Sequence, residues 1–403
     1  MRQDYDLLIV GGGLAGCCLA LALKDSGLQI AIVEASTRAQ QQHSPAGDRA
    51  LALAAGTVKM LETLGIWQGV SQAGTAIKTI HISDQGHFGK TRLSARQEKV
   101  EALGYVITAR EIEGHVADLV GAAKIDLICP ARVVGLISGS EEVNVSLKQA
   151  SEASTLSAKL LVGADGGLSS VRSLLEIGQK VSDYGQTALV TTVKSALPNR
   201  NTAYERFTSS GPLALLPVDS RHSSVVWTRT KADAEVLMLG SEDDFISELQ
   251  ECFGYKLGAL SLAAPRRSFP LSLIRAEHMV SGRAVIIGNA AHQLHPVAGQ
   301  GFNLGLRDVV SLAERLIEQH RQGLDIGASG FLKAYAEARQ KDHDRTILFT
   351  DQLVRIFSND FLALAAARNV GLALLDHIPS AKSLLARHAM GLADRLPGLG
   401  GGN

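Results

Sequence analysis

The apolar run Asp6-Leu-Leu-Ile-Val10 leads directly into Gly11-Gly-Gly13-Leu-Ala-Gly16, which opens a helical stretch from Leu14 to Ser26. Few chain geometries satisfy that order. A short run of aliphatic residues reads as a parallel strand buried on both faces. The glycines that follow permit a tight turn, let main-chain N–H groups reach a pyrophosphate, and let the helix pack closely on the strand. The helix N-terminus adds partial positive charge at the phosphate. Gly27 ends the helix, and Gln29-Ile-Ala-Ile-Val-Glu34 makes a second strand with an acid at its end, placed to accept hydrogen bonds from ribose hydroxyls. The whole is a βαβ dinucleotide-binding unit. The Glu34 carboxylate would repel a 2′-phosphate, so NADP does not suit this pocket, but the motif alone does not separate NAD from FAD.

With 403 residues, the chain is long enough for two packed domains or one large domain with insertions. Apolar residues make up 46% and charged residues 20%, which excludes a disordered chain. Forty basic side chains balance forty acidic ones, so no net field attracts nucleic acid, and no nucleic-acid partner is expected. Cys17, Cys18, Cys129 and Cys252 form no CxxC pair, and a reducing compartment suits them. The start of the chain lacks the basic and apolar regions of a signal peptide, and the apolar stretch Phe361 to Leu375 is too short to span a bilayer. A cytoplasmic protein is therefore expected, peripheral to the inner membrane at most and then through partners.

The style of the sequence changes along the chain. Lys78 to Val100 is polar and reads as a hairpin excursion. Arg110 to Lys124 is helical, and strands follow near Ile125–Cys129, Val133–Ile137, Val143–Lys148 and Lys159–Gly163. From Gln186 to Phe269 short alternating runs broken by turns argue for antiparallel sheet, with one helical insertion near Asp243 to Cys252. The βα style returns at Arg283-Ala-Val-Ile-Ile-Gly288, and the chain is helical after about Asn303. The expected division places the nucleotide-binding domain at 1–77, 101–180 and 273–330. A substrate domain is inserted at 78–100 and 181–272, and a C-terminal helical region occupies 331–403.

Two further glycine clusters stand out. Gly163-Ala-Asp165-Gly-Gly-Leu-Ser169-Ser-Val-Arg172 could be no more than a strand end capped before a helix. Gly288-Asn289-Ala-Ala-His292-Gln-Leu-His295-Pro296-Val-Ala-Gly299-Gln-Gly301-Phe-Asn303-Leu-Gly305-Leu-Arg-Asp308 runs from a strand through a loop into a helix whose N–H groups would face a negative charge. His292 and His295 lack carboxylate or thiolate partners at ligand spacing, so no metal site is expected.

The three clusters in this order resemble the single-component flavin aromatic hydroxylases, the p-hydroxybenzoate hydroxylase-like family, from Asp4 to about Asp308. His295–Asp308 is similar to the ubiquinone-biosynthesis hydroxylase group. Glu205–Pro217 and Phe349–Asp360 resemble its 2-octaprenyl-6-methoxyphenol hydroxylase branch. Where the family usually carries Asp, this chain has Asn289, which keeps an acceptor and adds donors while removing a charge.

The resemblance implies an α/β fold: a Rossmann-like FAD-binding domain of the glutathione reductase type, an inserted antiparallel substrate sheet and C-terminal helices. It implies noncovalent FAD, with NAD(P)H and O2 as co-substrates and one hydroxyl added to a prenylated phenol through a flavin C4a-hydroperoxide. Gly11, Gly13, Gly16 and Glu34 would hold the ADP half, and Arg49 and Arg110 would lie near the phosphates or ribityl chain. Asp165 and Gly166 would approach FAD and shape the nicotinamide groove. Asn289 and Pro296 would line the ribityl and isoalloxazine side, with His295 a further candidate there. Gly299, Gly301 and Asn303 would bring N–H groups to the flavin N1–O2 edge, where reduced flavin carries negative charge. Since the cofactor carries the difficult chemistry, neither a Ser-His-Asp triad nor an obligatory general base is expected. Phe207, Leu216, Pro217 and Trp227 would roof the substrate pocket, unless they are simply sheet core. Alternative readings are a sister hydroxylase acting on another ring position or on a small soluble aromatic, and a non-catalytic flavin-binding scaffold of a ubiquinone-biosynthesis complex. For the region after about Arg355, docking to such a complex or loose membrane contact is set against helices that merely cover the flavin domain.

Overall fold

The computed structural model describes residues 4–86, 89–150, 152–294, 299–357 and 378–392. The two aliphatic runs at the start form the strands Tyr5–Val10 and Ile30–Val33, which pair in parallel with Leu7 opposite Ile30. Glu152–Gly163 pairs in parallel on the other side of Tyr5–Val10, Ala284–Ile286 lies beyond it, and Asp126–Ile128 closes the far edge. The central strands Tyr5–Val10 and Ile30–Val33 and the end of Glu152–Gly163 are buried on both faces, with Leu7, Leu8, Ile9, Ile32 and Leu161 wholly inaccessible, so they are nearly continuous in apolar residues, while the edge strand Asp126–Ile128 is largely exposed. The antiparallel strands Arg132–Ser138 and Val143–Gln149 extend this sheet from Glu152–Gly163. The helices Leu14–Leu23 and Gln300–Arg321 pack on one another against it.

The second sheet has nine strands. Its long members are Gln179–Ser195, His222–Thr230 and Arg267–Ala276, joined by Thr202–Thr208 and Gly211–Pro217. The polar excursion forms the hairpin Thr79–Asp84 and Lys90–Ser94, which enters this sheet by parallel pairing of Thr79–Asp84 with Thr202–Thr208. The body of the inserted sheet therefore runs from Gln179 to Ala276, slightly wider than 181–272, and His292–Gln293 returns to add its edge strand. Two helices, Lys231–Leu239 and Glu242–Phe253, cover one of its faces, where a single insertion is expected from sequence. Thr230 accepts from Asp233 N at the start of the first, and Ser241 and Asp244 form a reciprocal cap on the second.

A small third sheet joins Ala50–Ala54 and Thr75–Ile77 on either side of Gly104–Thr108. The last described helices are Gln300–Arg321, Ser329–Phe357 and Pro379–Ala389. None of the described helices is long and apolar enough to cross a membrane.

Candidate functional site

A largely apolar cavity of about 1000 Å³ runs from the glycine clusters of the first sheet to the uncovered face of the inserted sheet. Gly13, Gly166, Asn289, Gly299, Gly301 and Asn303 line one part of it, together with Arg49. Each glycine cluster thus contributes wall, as the order of the motifs implies.

The local geometry explains the residue types. Gly11 takes φ +109°, and a Cβ there would press on the Ala164 carbonyl oxygen at 2.5 Å. A Cβ on Gly16 would lie 2.0 Å from the Gly11 carbonyl oxygen, so Gly16 is what lets helix Leu14–Leu23 close on its strand. At Gly13, Gly166 and Gly301 an added Cβ would meet nothing within 4 Å, which leaves main chain bare toward open space. The Glu34 carboxylate accepts hydrogen bonds from Gly12 N and Ser36 N, both at 2.6 Å, and each oxygen keeps a lone pair for a ribose hydroxyl. Glycine-lined openings, two helix N-termini and a backbone-held acid fit a dinucleotide flavin.

Asn303 is the hinge pin of the third cluster. Its Oδ1 accepts from Ala54 N (3.1 Å) and Thr57 Oγ1 (2.6 Å), while its Nδ2 donates to Ala52 O (3.1 Å) and Gly299 O (2.7 Å). Its amide is fully used, so it positions the start of helix Gln300–Arg321 against strand Ala50–Ala54 and leaves none of its own groups for a ligand.

Several expected residues sit elsewhere. Asp165 does not line the cavity. Its carboxylate accepts from Ser169 Oγ, from Ser170 Oγ (2.9 Å) and from Val171 N (3.1 Å), capping the short helix Ser170–Leu174. Arg110 is drawn away by Asp48 (2.6 Å) and the Ser44 carbonyl (3.1 Å). Asp48 also receives Arg267 (3.0 Å), a cavity residue, so Arg110 reaches the site only through that carboxylate. Phe207 and Leu216 line the cavity, but Pro217 and Trp227 do not. Strand alternation is the reason. Trp227 points to the helix-covered face, fully buried, with its ring edge-on to Phe245 at 5.6 Å between centroids. His295 and Pro296 lie outside the described residues.

Two features of the interior escape sequence reasoning. Glu205 lines the cavity among apolar residues, and burial pushes its carboxyl up to about 7. No obligatory acid or base is expected from sequence, and this carboxyl, raised by burial, faces the cavity. Behind the third cluster, Asp308 is inaccessible and accepts from His292 Nε2 (2.8 Å), His343 Nε2 (2.7 Å) and Arg339 Nε (2.7 Å). Burial opposes ionisation of Asp308, but the facing His343, Arg339 and His292 prevail and hold it well below the usual carboxylate range. Burial also lowers the His292 pKa, in spite of its bond to Asp308. The three side chains His292, Asp308 and His343 have their ligand atoms within 4.8 Å of one another, although the Arg339 guanidinium occupies the same carboxylate. The expectation that His292 lacks a carboxylate partner is thereby corrected: Asp308, sixteen residues on, accepts from it, and Arg339 and His343 come from another helix.

A family model described as an FAD binding domain matches residues 4–349. The chain is 36% identical over 392 residues to the ubiquinone hydroxylase UbiL of Rhodospirillum rubrum, covering 96% of this chain and 89% of that one. It is 28% identical over 398 residues to the ubiquinone hydroxylase UbiM of Neisseria meningitidis, covering 97% and 86%. Among solved structures, p-nitrophenol 4-monooxygenase PnpA from Pseudomonas putida shares the fold, with a TM-score of 0.80 at 17% identity over 98% of this chain and all of that one. A matching family model over most of the chain, a matching fold and a glycine-lined cavity lead to one assignment: the chain belongs to the FAD-binding aromatic hydroxylase family and is an FAD-dependent monooxygenase related to the ubiquinone-pathway hydroxylases.

Proposed function

We propose that this enzyme uses NAD(P)H and O2 to add one hydroxyl to a prenylated phenol of the 2-polyprenyl-6-methoxyphenol type in ubiquinone biosynthesis. The observation that carries the reading is the continuity of one cavity from the glycine clusters to an apolar wall formed by Ala214, Leu216 and Val226, with Phe349 and Leu385 from the C-terminal helices. An electron-rich ring can lie at one end of such a space and a greasy tail along the other. FAD, when bound, supplies the reducing equivalents received from NAD(P)H and the activation of O2. The chain's own part is to bind, orient and keep water out. Gly13 and the start of helix Leu14–Leu23 receive the pyrophosphate, and Glu34 holds the adenosine ribose. Gly166 and Asn289 flank the ribityl side. The N-terminus of helix Gln300–Arg321, fixed by Asn303, presents N–H groups to the edge of the flavin that becomes negative. A sister hydroxylase acting on another ring position of the same precursor uses the same machinery, and the relatedness to UbiL and UbiM favours it as the second reading.

The test combines cofactor and product. Acid precipitation of the purified yellow protein is expected to release free FAD, since no attachment is covalent. With 2-allyl-6-methoxyphenol as a short-tailed probe, NADPH oxidation is expected to yield a product carrying one added oxygen. Deleting the gene from its host and identifying the accumulated quinone precursor by mass spectrometry assigns the ring position. A 6-methoxyphenol precursor supports the first reading, and a later intermediate moves the assignment to the sister enzyme.

A further inference from the structure

Glu205 stands between Ala203 and Phe207 on strand Thr202–Thr208, and the two-residue alternation turns all three toward the cavity. Its parallel neighbour is Ile82 and its antiparallel neighbour Ala214, both also cavity residues. Among the described residues no group bonds its carboxyl or acts on it by charge, and burial alone accounts for its raised pKa. The ionisable groups of the surrounding elements stand apart. Asp84 lies at the end of strand Thr79–Asp84, opposite Phe207. Lys90, Arg92 and Arg206 fall on the sheet's other face by the same alternation. Asp48, Arg49, Glu113 and Arg267 line the part of the cavity that belongs to, or pairs with, the flavin domain.

Glu205 is half-buried, its carboxyl opening on the cavity, and a carboxyl facing apolar walls without a partner costs stability. A ligand that brings a hydroxyl offsets that cost. We propose that Glu205 is a catalytic residue, accepting the hydrogen bond of the substrate's phenol hydroxyl and taking its proton as the ring is hydroxylated. This rests on the phenol reading above. The step balances: the phenol O–H bond breaks and an O–H bond forms on a Glu205 carboxylate oxygen. The electron pair left on oxygen then conjugates into the ring, raising its nucleophilicity at the ortho and para carbons. A base that titrates near the working pH is well matched to such a transfer.

The experiment compares wild-type, Glu205→Gln and Glu205→Asp holoenzymes on 2-allyl-6-methoxyphenol. Glu205→Gln is expected to keep its FAD but lose ~10²–10⁴-fold in kcat/KM for the hydroxylated product. In the wild type kcat/KM should fall with one proton below about pH 7, a limb that Glu205→Asp retains at reduced rate and Glu205→Gln lacks. Infrared spectra supply a readout independent of turnover. A protonated-carboxyl band should disappear as pH rises through about 7 in the wild type and be missing from Glu205→Gln. A Glu205→Gln enzyme within about twofold of wild type with the acid limb intact overturns the inference and leaves the hydroxylase reading standing. A flat infrared titration of the wild type, or a Glu205→Asp enzyme without the limb, also overturns it. If the wild-type holoenzyme yields no hydroxylated phenol, the functional reading falls and this inference with it.

Discussion

Gly299 and Gly301 lie two positions apart in one loop and do different work. Gly299 adopts φ +62°, and a Cβ there would meet the Ala52 Cβ at 2.9 Å, whereas a Cβ on Gly301 would meet open cavity. Gly299→Val is therefore expected to destabilise the apoprotein by at least ~1–2 kcal/mol from the left-handed backbone alone. Gly301→Val should leave apoprotein melting near wild type and weaken FAD binding. Thermal denaturation beside an FAD titration checks the split, and equal behaviour of the two variants would refute it. Glu205 makes a second prediction at this scale. Its folded pKa, about 7, exceeds the ordinary 4.5, so the folded state holds the proton more tightly and loses stability as pH rises from about 4.5 to about 7. Glu205→Gln is expected to raise Tm at about pH 8 and to leave it nearly unchanged at about pH 4. A Tm difference independent of pH would count against that carboxyl being buried and unpaired. The glycines were legible in sequence because their constraint is set by neighbours in the chain. The turning away of Asp165 and Arg110 was not, because Ser170 and Asp48 compete for them through local geometry that spacing does not encode.

At the level of elements, the parallel strands and the helix Glu242–Phe253 could be read from periodicity and capping residues. The helix Lys231–Leu239 was missed although Thr230 and Asp233 carry its capping signal. Strand Ala50–Ala54 was also missed, since an alternation of Ala and Leu states no preference between helix and strand. Trp227 was misplaced for a related reason: a strand's alternation is visible in sequence, but which face meets the cavity depends on where the sheet docks. The join between Gln300–Arg321 and Ser329–Phe357 depends on Asp308 with Arg339 and His343, and on the Arg307–Asp342 pair at 2.9 Å. Replacing Asp308 with Asn leaves the Arg339 cation buried with less compensation, and a loss of ~3–5 kcal/mol is expected in chemical denaturation. The network also sets a direction for pH. The folded-state pKa of His292 lies below the ordinary 6.5, so the unfolded chain binds more protons and stability falls as pH drops below about 6.5. Asp308, held well below 3.8, adds a further loss at lower pH. In the Glu205→Gln variant, which lacks the opposing loss from that carboxyl, Tm is expected to rise from acid to neutral pH, and a fall over that range contradicts the sign.

For the whole molecule, the described part of the C-terminal region closes the cavity. Ala386 and Met390 pack with Leu93 and Leu103, Ser383 Oγ donates to Glu98 (2.7 Å), and Leu385 and Ala389 line the cavity itself. Of the two readings of the C-terminal region, these contacts accord with helices that cover the flavin domain, as far as helix Pro379–Ala389 goes; the stretch 358–377 and the end of the chain lie outside the described residues. Removing the chain from Ile378 onward is expected to lower Tm and to reduce turnover of short-tailed and long-tailed phenols alike. Loss in cells with full activity on the short-tailed phenol would favour the docking role. The inserted sheet carries a last consequence. Along Thr202–Thr208 and Gly211–Pro217, Tyr204, Leu213 and Leu215 anchor the covering helices, while Glu205, Ala214 and Leu216 meet the cavity. Descent with modification can therefore alter every second residue, changing which molecules are accepted, while the intervening residues keep the scaffold inherited intact. A mutant library confined to the cavity-facing positions would explore new chemistry on a fold whose ancestry need not change.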